Sequence, residues 1–224
     1  MLSLSLLLGL AGSVGSLVFF AWLSEEVLEG ATRPFDEMTR ALVHRFSSPG
    51  RTSAMLGISF LGSTEFLFSA TTIVVIWFLL KHWRRDAILF GATMIGASLL
   101  NTTLKDAFHR PRPVPFFDLS APNSFSFPSG HALASFCFYG ALAAILTTRI
   151  EGRRFRAIVW ATSATIVLLI GLSRIYLGVH YTTDVVAGYT AAMIWIAAVR
   201  FVELQLAWRR ERNVNAGSKK RIER

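Results

Sequence analysis

Residues 157–202 read AIVWATSATIVLLIGLSRIYLGVHYTTDVVAGYTAAMIWIAAVRFV, and this stretch decides the class of fold. It contains two apolar runs, over residues 157–173 and 184–202, and the short segment between them carries an arginine and a histidine. A helix needs roughly 17–25 apolar residues to cross a bilayer, where the backbone must satisfy its own hydrogen bonds. Each run therefore predicts a transmembrane helix, and the polar segment predicts the connection between the two helices.

Four further apolar stretches lie outside this pair, at roughly 2–23, 64–80, 87–104 and 131–148. Hydrophobic residues make up 53% of the 224 residues and the mean hydropathy is +0.47, whereas soluble proteins are about 45–50% apolar even when glycine is counted. We therefore expect an all-α, polytopic membrane protein with six transmembrane helices. The six-helix domain is predicted to cover residues 1–204, and a basic cytoplasmic tail is predicted over 205–224.

The first stretch has an alternative interpretation as a cleaved signal peptide. Its N-terminal end carries no basic residue, and its apolar run exceeds the about 7–15 residues of a signal peptide, so we expect a retained helix. In the segment 24–63, apolar residues recur at helical spacing with charges between them. This pattern predicts an interfacial helix, with a solvent-facing connector as the alternative. The apolar residues are Phe35, Met38, Ala41, Leu42 and Phe46.

The net charge of +9 comes from 23 basic and 14 acidic residues, and its distribution along the chain predicts an orientation. Eight basic residues lie between Arg200 and Arg224, directly after an apolar span, which favours contact with an anionic cytoplasmic leaflet over binding to nucleic acid. Fifteen basic residues fall on the side of the two termini and eight on the other side. The positive-inside rule then puts both termini in the cytoplasm, and the connections 105–130 and 174–183 together on the outer face.

Three groups of polar residues lie at these outward ends. The first is KDAFHRPRP over residues 105–113, the second is PSGH over 128–131, and the third runs from Ser173 to Asp184. Lysine and arginine side chains supply positive charge and donors that match phosphate oxygens. Free N–H groups at the start of a helix bind anions, and glycine permits close approach of the anion. The groups together predict a cradle for a phosphoryl group.

Two histidines complete the predicted chemistry. His180 precedes Asp184 by four residues, so the carboxylate is expected to orient the imidazole and to make it a nucleophile toward phosphorus. His131, at a helix start beside the same anion site, is expected to protonate the leaving oxygen. A metal site of His131, His180 and Asp184 is the alternative, but the neighbouring cations would repel a divalent metal. We expect neither a metal nor a cofactor. For Arg110, a membrane anchor and a part in the site are both open.

The spacing of these residues resembles the three-part signature of the type 2 phosphatidic acid phosphatase superfamily, and every signature position matches. The resemblance covers roughly residues 60 to 200 and implies six helices, a phosphohistidine intermediate on His180, His131 as general acid and Asp184 as the orienting carboxylate. It implies no metal requirement. The implied phosphate contacts are Lys105, Arg112, Ser129, Gly130 and Arg174.

The resemblance implies a metal-independent phosphatase in a bacterial inner or plasma membrane. Its partners would be membrane lipids and a phosphorylated lipid substrate such as undecaprenyl diphosphate, phosphatidylglycerophosphate, phosphatidate or lipid A. The signature indicates recognition of a phosphoryl group. It does not indicate which lipid carries that group, which molecule accepts it, or the oligomeric state of the protein. A lipid phosphotransferase therefore stays an alternative. An anion transporter is disfavoured, because a pathway across the bilayer predicts basic residues along several spans, and the span interiors here are almost uncharged.

Overall fold

A computed structural model describes residues 4–120 and 122–222, with side chains described from residue 11 to residue 209 outside position 121. All regular structure in these ranges is helical, which confirms the predicted all-α class. The eight helices are α1 (Leu4–Leu28), α2 (Arg33–His44), α3 (Pro49–Phe60), α4 (Thr64–Leu80), α5 (Arg84–Phe108), α6 (Gly130–Thr147), α7 (Arg153–Tyr176) and α8 (Thr182–Ile222).

Five of these helices, α1, α5, α6, α7 and α8, are long and apolar enough to cross a membrane. The helices α3 and α4 meet at an angle of 45° and pass the same test as a pair, which gives a sixth span in the described part of the chain. The six-span prediction is therefore confirmed with one difference. The predicted second span, 64–80, corresponds to α4, which has 17 residues and forms only part of a broken span. Helix α8 continues without interruption past residue 204, and the domain boundary placed there stays a prediction.

The break between α3 and α4 has a local cause in residues 61–63. Ser63 has an extended backbone and its side chain accepts a hydrogen bond from the N–H of Phe66 at 3.2 Å, so it caps the start of α4. The hydroxyl of Tyr139 on α6 donates to the Leu61 carbonyl at 3.0 Å. A broken helix is tolerated at membrane depth only where neighbouring groups satisfy the freed backbone, and α6 does so here.

Packing between the spans relies on aromatic rings and small residues. The buried ring of Phe90 contacts the buried rings of Phe78 and Phe138 edge-on, which joins α4, α5 and α6. Further along α5, the indole of Trp195 on α8 packs against Gly96 and donates to the Thr93 carbonyl at 2.9 Å. Such close interfaces are typical of helices packed within a membrane. They hold the ends of α5, α6, α7 and α8 in fixed relation.

Helix α2 confirms the predicted helix in the segment 24–63, and its two faces differ sharply. Phe35, Met38 and Leu42 are 49–61% exposed, whereas Asp36 and Arg40 on the opposite face are buried. An amphipathic helix of this kind buries its apolar face in a membrane interface. The polar face of α2 therefore points into the protein, toward the ends of α5 and α8.

Candidate active site

The three predicted groups of polar residues meet at one end of the bundle. An Arg112 Nη1–H donates to His180 Nε2 at 3.0 Å, which joins the connection after α5 to the connection before α8. The backbone N–H of Ser129 donates to the Asp184 carbonyl at 2.9 Å, which joins the PSGH segment to α8. The prediction that the connections 105–130 and 174–183 lie together is therefore confirmed by direct contacts.

The turn that carries His180 is set by a close approach of two backbone segments. Gly178 has a φ of +73°, and a Cβ at this position would lie 2.8 Å from the backbone nitrogen of Phe116. The Phe116 N–H donates to the Leu177 carbonyl at 3.0 Å, beside this glycine. Glycine at 178 therefore lets the proline-rich connection lie against the histidine turn.

His180 has one ring nitrogen facing a carboxylate and the other facing an arginine. Its Nδ1 lies 3.3 Å from Asp184 Oδ2 and its Nε2 lies 3.0 Å from Arg112 Nη1. Because arginine has no acceptor, Nε2 must accept this hydrogen bond, which assigns the proton of the neutral ring to Nδ1. The Nε2 lone pair then points toward the cationic groups.

Burial keeps the His180 ring neutral. The side chain is 2% exposed, and this burial lowers the pKa of His180 to about 4, although the Asp184 carboxylate acts to raise the pKa. Arg112 adds to the lowering of the pKa. Near neutral pH Nε2 of the imidazole is therefore unprotonated, which is the state that a nucleophile requires.

Asp184 is fully buried and accepts hydrogen bonds from several donors besides His180. The Tyr181 N–H donates to Oδ2 at 2.9 Å, and the buried hydroxyl of Ser126 donates to the same oxygen. Nη1 of Arg110 donates to Oδ1 at 2.6 Å. A buried carboxylate is held in its charged form by such donors, so Asp184 can orient the Nδ1–H of His180.

Lys105 and Arg174 extend the positive charge around His180. The ammonium of Lys105 donates to the Phe125 carbonyl, and Nη1 of Arg174 donates to the Ser59 hydroxyl. Among the described residues, Arg174 Nε and Ser129 Oγ are buried side-chain atoms without a hydrogen-bond partner. Buried polar groups are normally paired, so two unpaired atoms beside a cationic group are consistent with an anion that binds there.

Gly130 and His131 begin α6 next to these cations. A Cβ at Gly130 would lie 3.0 Å from the Asn101 side chain, so glycine fits a narrow space between α5 and α6. His131 packs against Gly62 at the break between α3 and α4, and the charges of Arg174, Arg112 and Lys105 reach it. The structure thus brings together all eight residues that the sequence predicts for the site.

Two groups that contact the site were missed or left open from the sequence. Arg110 bridges Asp184 and Asp36, with its Nη2 2.8 Å from Asp36 Oδ2, so it lies in the site and is not a membrane anchor. Burial acts to lower the pKa of Arg110, but the carboxylates of Asp184 and Asp36 raise the pKa by more than burial lowers it. The pKa therefore lies above its ordinary value and the side chain stays charged. No motif marks Asp36. The available signal was an acidic residue within an amphipathic helix, which is a weak one.

His131, His180 and Asp184 were the alternative metal ligands. Among the described residues, no three His, Cys, Asp or Glu side chains are arranged as a group that could hold a metal ion. His180 Nε2 instead contacts a guanidinium. Independence from metals stays a prediction that a chelator tests.

Comparisons with known proteins identify the family of the chain. The model of the PAP2 superfamily matches residues 86–207, a range that includes every residue predicted for the site. Phosphatidylglycerophosphatase B of Bacillus subtilis (strain 168) is 31% identical over 190 residues, covering 84% of this chain and 92% of that protein. An undecaprenyl-diphosphatase of Sulfolobus acidocaldarius is 27% identical over 147 residues, covering 63% of this chain and 64% of that protein.

A solved structure is also similar. The crystal structure of the transmembrane PAP2 type phosphatidylglycerolphosphate phosphatase from Bacillus subtilis superposes with a TM-score of 0.79 at 29% identity, covering 86% of this chain and 96% of that one. The chain belongs to the PAP2 superfamily. It is an integral membrane phosphatase of the lipid phosphatase branch.

Proposed function

We propose that this phosphatase removes the phosphate of a phosphorylated glycerolipid of the phosphatidylglycerophosphate type, through a phosphohistidine on His180. The observation that carries the proposal is the placement of His180, with Nδ1 at the Asp184 carboxylate and Nε2 beside Arg112. The substrate class is supported by the relative that matches over most of both chains, which is a phosphatidylglycerophosphatase. The undecaprenyl-diphosphatase matches over a smaller share, so a lipid diphosphate ranks second.

In the first step, the lone pair of His180 Nε2 attacks phosphorus and the bond from phosphorus to the lipid oxygen breaks. His131 donates a proton to the departing oxygen, which leaves as the lipid alcohol. As the imidazole forms its bond to phosphorus it gains positive charge, which Asp184 stabilises from the Nδ1 side. Lys105, Arg112, Arg174 and the N–H groups that begin α6, with Ser129 and Gly130, hold the equatorial oxygens.

In the second step, His131 accepts a proton from water, and the water oxygen attacks the phosphohistidine. The phosphorus–nitrogen bond breaks, inorganic phosphate leaves, and the lone pair of His180 Nε2 is restored. A lipid alcohol in the place of water would make the enzyme a phosphotransferase. Phosphate released in water enriched in oxygen-18 should carry one labelled oxygen, and label-free phosphate transferred to a lipid would favour the phosphotransferase.

The central experiment measures phosphate release by the detergent-purified protein from phosphatidylglycerophosphate, phosphatidate, undecaprenyl diphosphate and lipid A, with a chelator present. His180→Ala should abolish release, because the nucleophile is removed. His82→Asn is the matched control, since His82 is exposed and lies beyond the far end of α4. Release by His180→Ala near the wild-type rate would contradict the mechanism, and the order of rates among the four lipids identifies the substrate.

We also propose that the site faces the outer side of the membrane and that both termini are cytoplasmic, which rests on the distribution of basic residues. A cysteine introduced at Asn123, which is exposed in the connection before α6, should react with a membrane-impermeant maleimide on intact cells. A cysteine at Glu151, which is exposed at the opposite end, should react only after lysis. The native Cys137 is buried and gives little background. The reverse labelling pattern would contradict the orientation.

A further inference from the structure

The geometry points to Asp36 of α2 as a positioning residue that acts on His180 through Arg110 and Asp184. The inference rests on the proposed function, because it assigns Asp36 the task of keeping His180 ready for attack on phosphorus. Asp36 lies outside residues 86–207, which the family model matches, and belongs to the amphipathic helix that precedes the broken span.

Asp36 is fully buried, and both of its oxygens are engaged. Oδ2 accepts from Arg110 Nη2 at 2.8 Å and from the Thr183 hydroxyl at 2.7 Å, and Oδ1 accepts from the Thr183 N–H at 3.0 Å. A buried carboxylate is costly unless it is paired and hydrogen-bonded. Two of these donors belong to Thr183, which lies between His180 and Asp184 in the sequence. The third belongs to Arg110, which also donates to Asp184.

The contact with Thr183 fixes the start of α8. The first N–H groups of a helix have no partner within the helix, and a carboxylate placed there also complements the helix dipole. Asp36 supplies such a carboxylate from another helix. It accepts from the N–H of Thr183, the residue that precedes Asp184. Because His180 lies two residues before the start of α8, the contact fixes the carboxylate and the imidazole relative to each other.

Through its contact with Asp36, the guanidinium of Arg110 donates to two carboxylates at once. Its Nη1 donates to Asp184 Oδ1 at 2.6 Å, and its Nη2 donates to Asp36. Without Asp36, both nitrogens of the fork would be free to pair with Asp184 alone, since arginine and carboxylate favour a bidentate geometry. Arg110 would then compete with His180 for Oδ2. The negative charge of Asp36 also offsets the positive charge of Arg110. The negative charge of Asp184 is then not cancelled by Arg110 and can stabilise the positive charge that develops on the imidazole of His180.

The test compares Asp36→Asn with Glu37→Gln, its neighbour on α2, whose side chain is 49% exposed and pairs with Arg40. Asp36→Asn should lower kcat about 10–100-fold, by analogy with the loss found when the hydrogen-bond partner that orients a metal-ligating side chain is removed. Its KM and the inhibition constant of inorganic phosphate should stay within about twofold of wild type, because Asp36 is not predicted to contact substrate. Glu37→Gln should leave all three constants unchanged.

Arg110→Gln and the double variant Asp36→Asn with Arg110→Gln complete a cycle. Arg110→Gln removes the positive charge that pairs with two buried carboxylates and should be the slowest of the three variants in the cycle. The double variant should recover activity relative to Arg110→Gln, because the two residues act as one unit. A positioning role predicts that Asp36→Asn raises kcat on the Arg110→Gln background when both proteins are assayed well below their unfolding midpoints, whereas a structural role changes the midpoint and leaves the kcat of the folded enzyme unchanged.

Two results would overturn the inference. One is a kcat for Asp36→Asn within about twofold of wild type. The other is a loss of phosphate affinity and thermal stability as large as the loss of kcat, with no recovery in the double variant, which would assign Asp36 a structural role. His180→Ala, measured in parallel, separates this failure from failure of the proposed function, since activity in that variant would refute the phosphohistidine itself.

Discussion

Replacing Gly188 by alanine would place a methyl group between α8 and the start of α6. A Cβ built on Gly188 lies 2.7 Å from the Ser129 carbonyl oxygen, 3.0 Å from the Ala132 Cβ and 3.2 Å from the Leu133 nitrogen. Two of these three atoms are backbone and cannot swing away. Ordinary contact begins at 3.4 Å, so the PSGH segment must move from α8 by about 0.7 Å to restore van der Waals contact.

This shift should affect activity more than stability. The Ser129 N–H bonds to the Asp184 carbonyl across the same interface, so a displaced Ser129 also displaces the first turn of α6 and His131. A misplacement of about 1 Å can cost about 100-fold in rate, and we expect kcat to fall about 10–100-fold. Overpacking costs about 1–3 kcal/mol, of which the better helix propensity of alanine returns about 1 kcal/mol.

The assay is phosphate release from phosphatidylglycerophosphate in detergent, with thermal unfolding measured on the same preparation. Gly140→Ala on α6 is the matched control, because its Cβ would have its nearest neighbour at 3.8 Å, an ordinary contact. That variant should keep full activity and be as stable as wild type or more stable. A Gly188→Ala enzyme that retains at least half of the wild-type kcat with an unchanged midpoint would refute the reasoning.

Three more measurements probe the site. Ser126→Ala removes a buried donor to Asp184, so it should lower kcat and cost about 1–3 kcal/mol in stability, whereas the exposed Ser69→Ala should do neither; equal behaviour of the two variants would contradict the assignment. The pKa of His180 is about 4 in the folded state and 6.5 ordinarily, so the unfolded state binds the proton first and stability should fall as the pH decreases from about 6.5 to 4. This loss is about 3 kcal/mol and should be absent from His180→Gln in thermal unfolding scans, and equal pH dependence in both proteins would exclude His180 as its source. Activity should persist in excess chelator, and a loss restored by a divalent cation would revive the metal alternative.

Hydropathy predicted the spans because each one depends on a long apolar run, but it did not predict the broken span. Residues 49–60 are mixed in composition. They form α3, which is held in place beside α4 by contacts with α7, such as that of Arg174 with Ser59. A sliding pattern of hydrophobicity detects the lipid-facing half of a span. It does not detect a half-span whose polar residues are paired inside the protein.

The same distinction applies to the site: residues with a local sequence signal could be predicted, and contacts between residues distant in sequence could not. The signature residues could be predicted because each lies within a few positions of a span end, and the spans alternate in direction. The role of Arg110 stayed open because its partners, Asp36 and Asp184, are each 74 positions away along the chain. Nothing in the spacing of Asp36 indicates that it faces inward, since that depends on how α2 packs against the start of α8.

The contact between Asp36 and Thr183 has a consequence for the biosynthesis of the enzyme. The two residues are 147 positions apart, so the contact forms only after the final span has entered the bilayer. A nascent chain that ends before α8 contains His180 and every predicted phosphate-binding residue but lacks Asp184, the carboxylate that orients His180. The complete site therefore requires the last helix, which supplies Asp184 to His180 and Thr183 to Asp36 of α2.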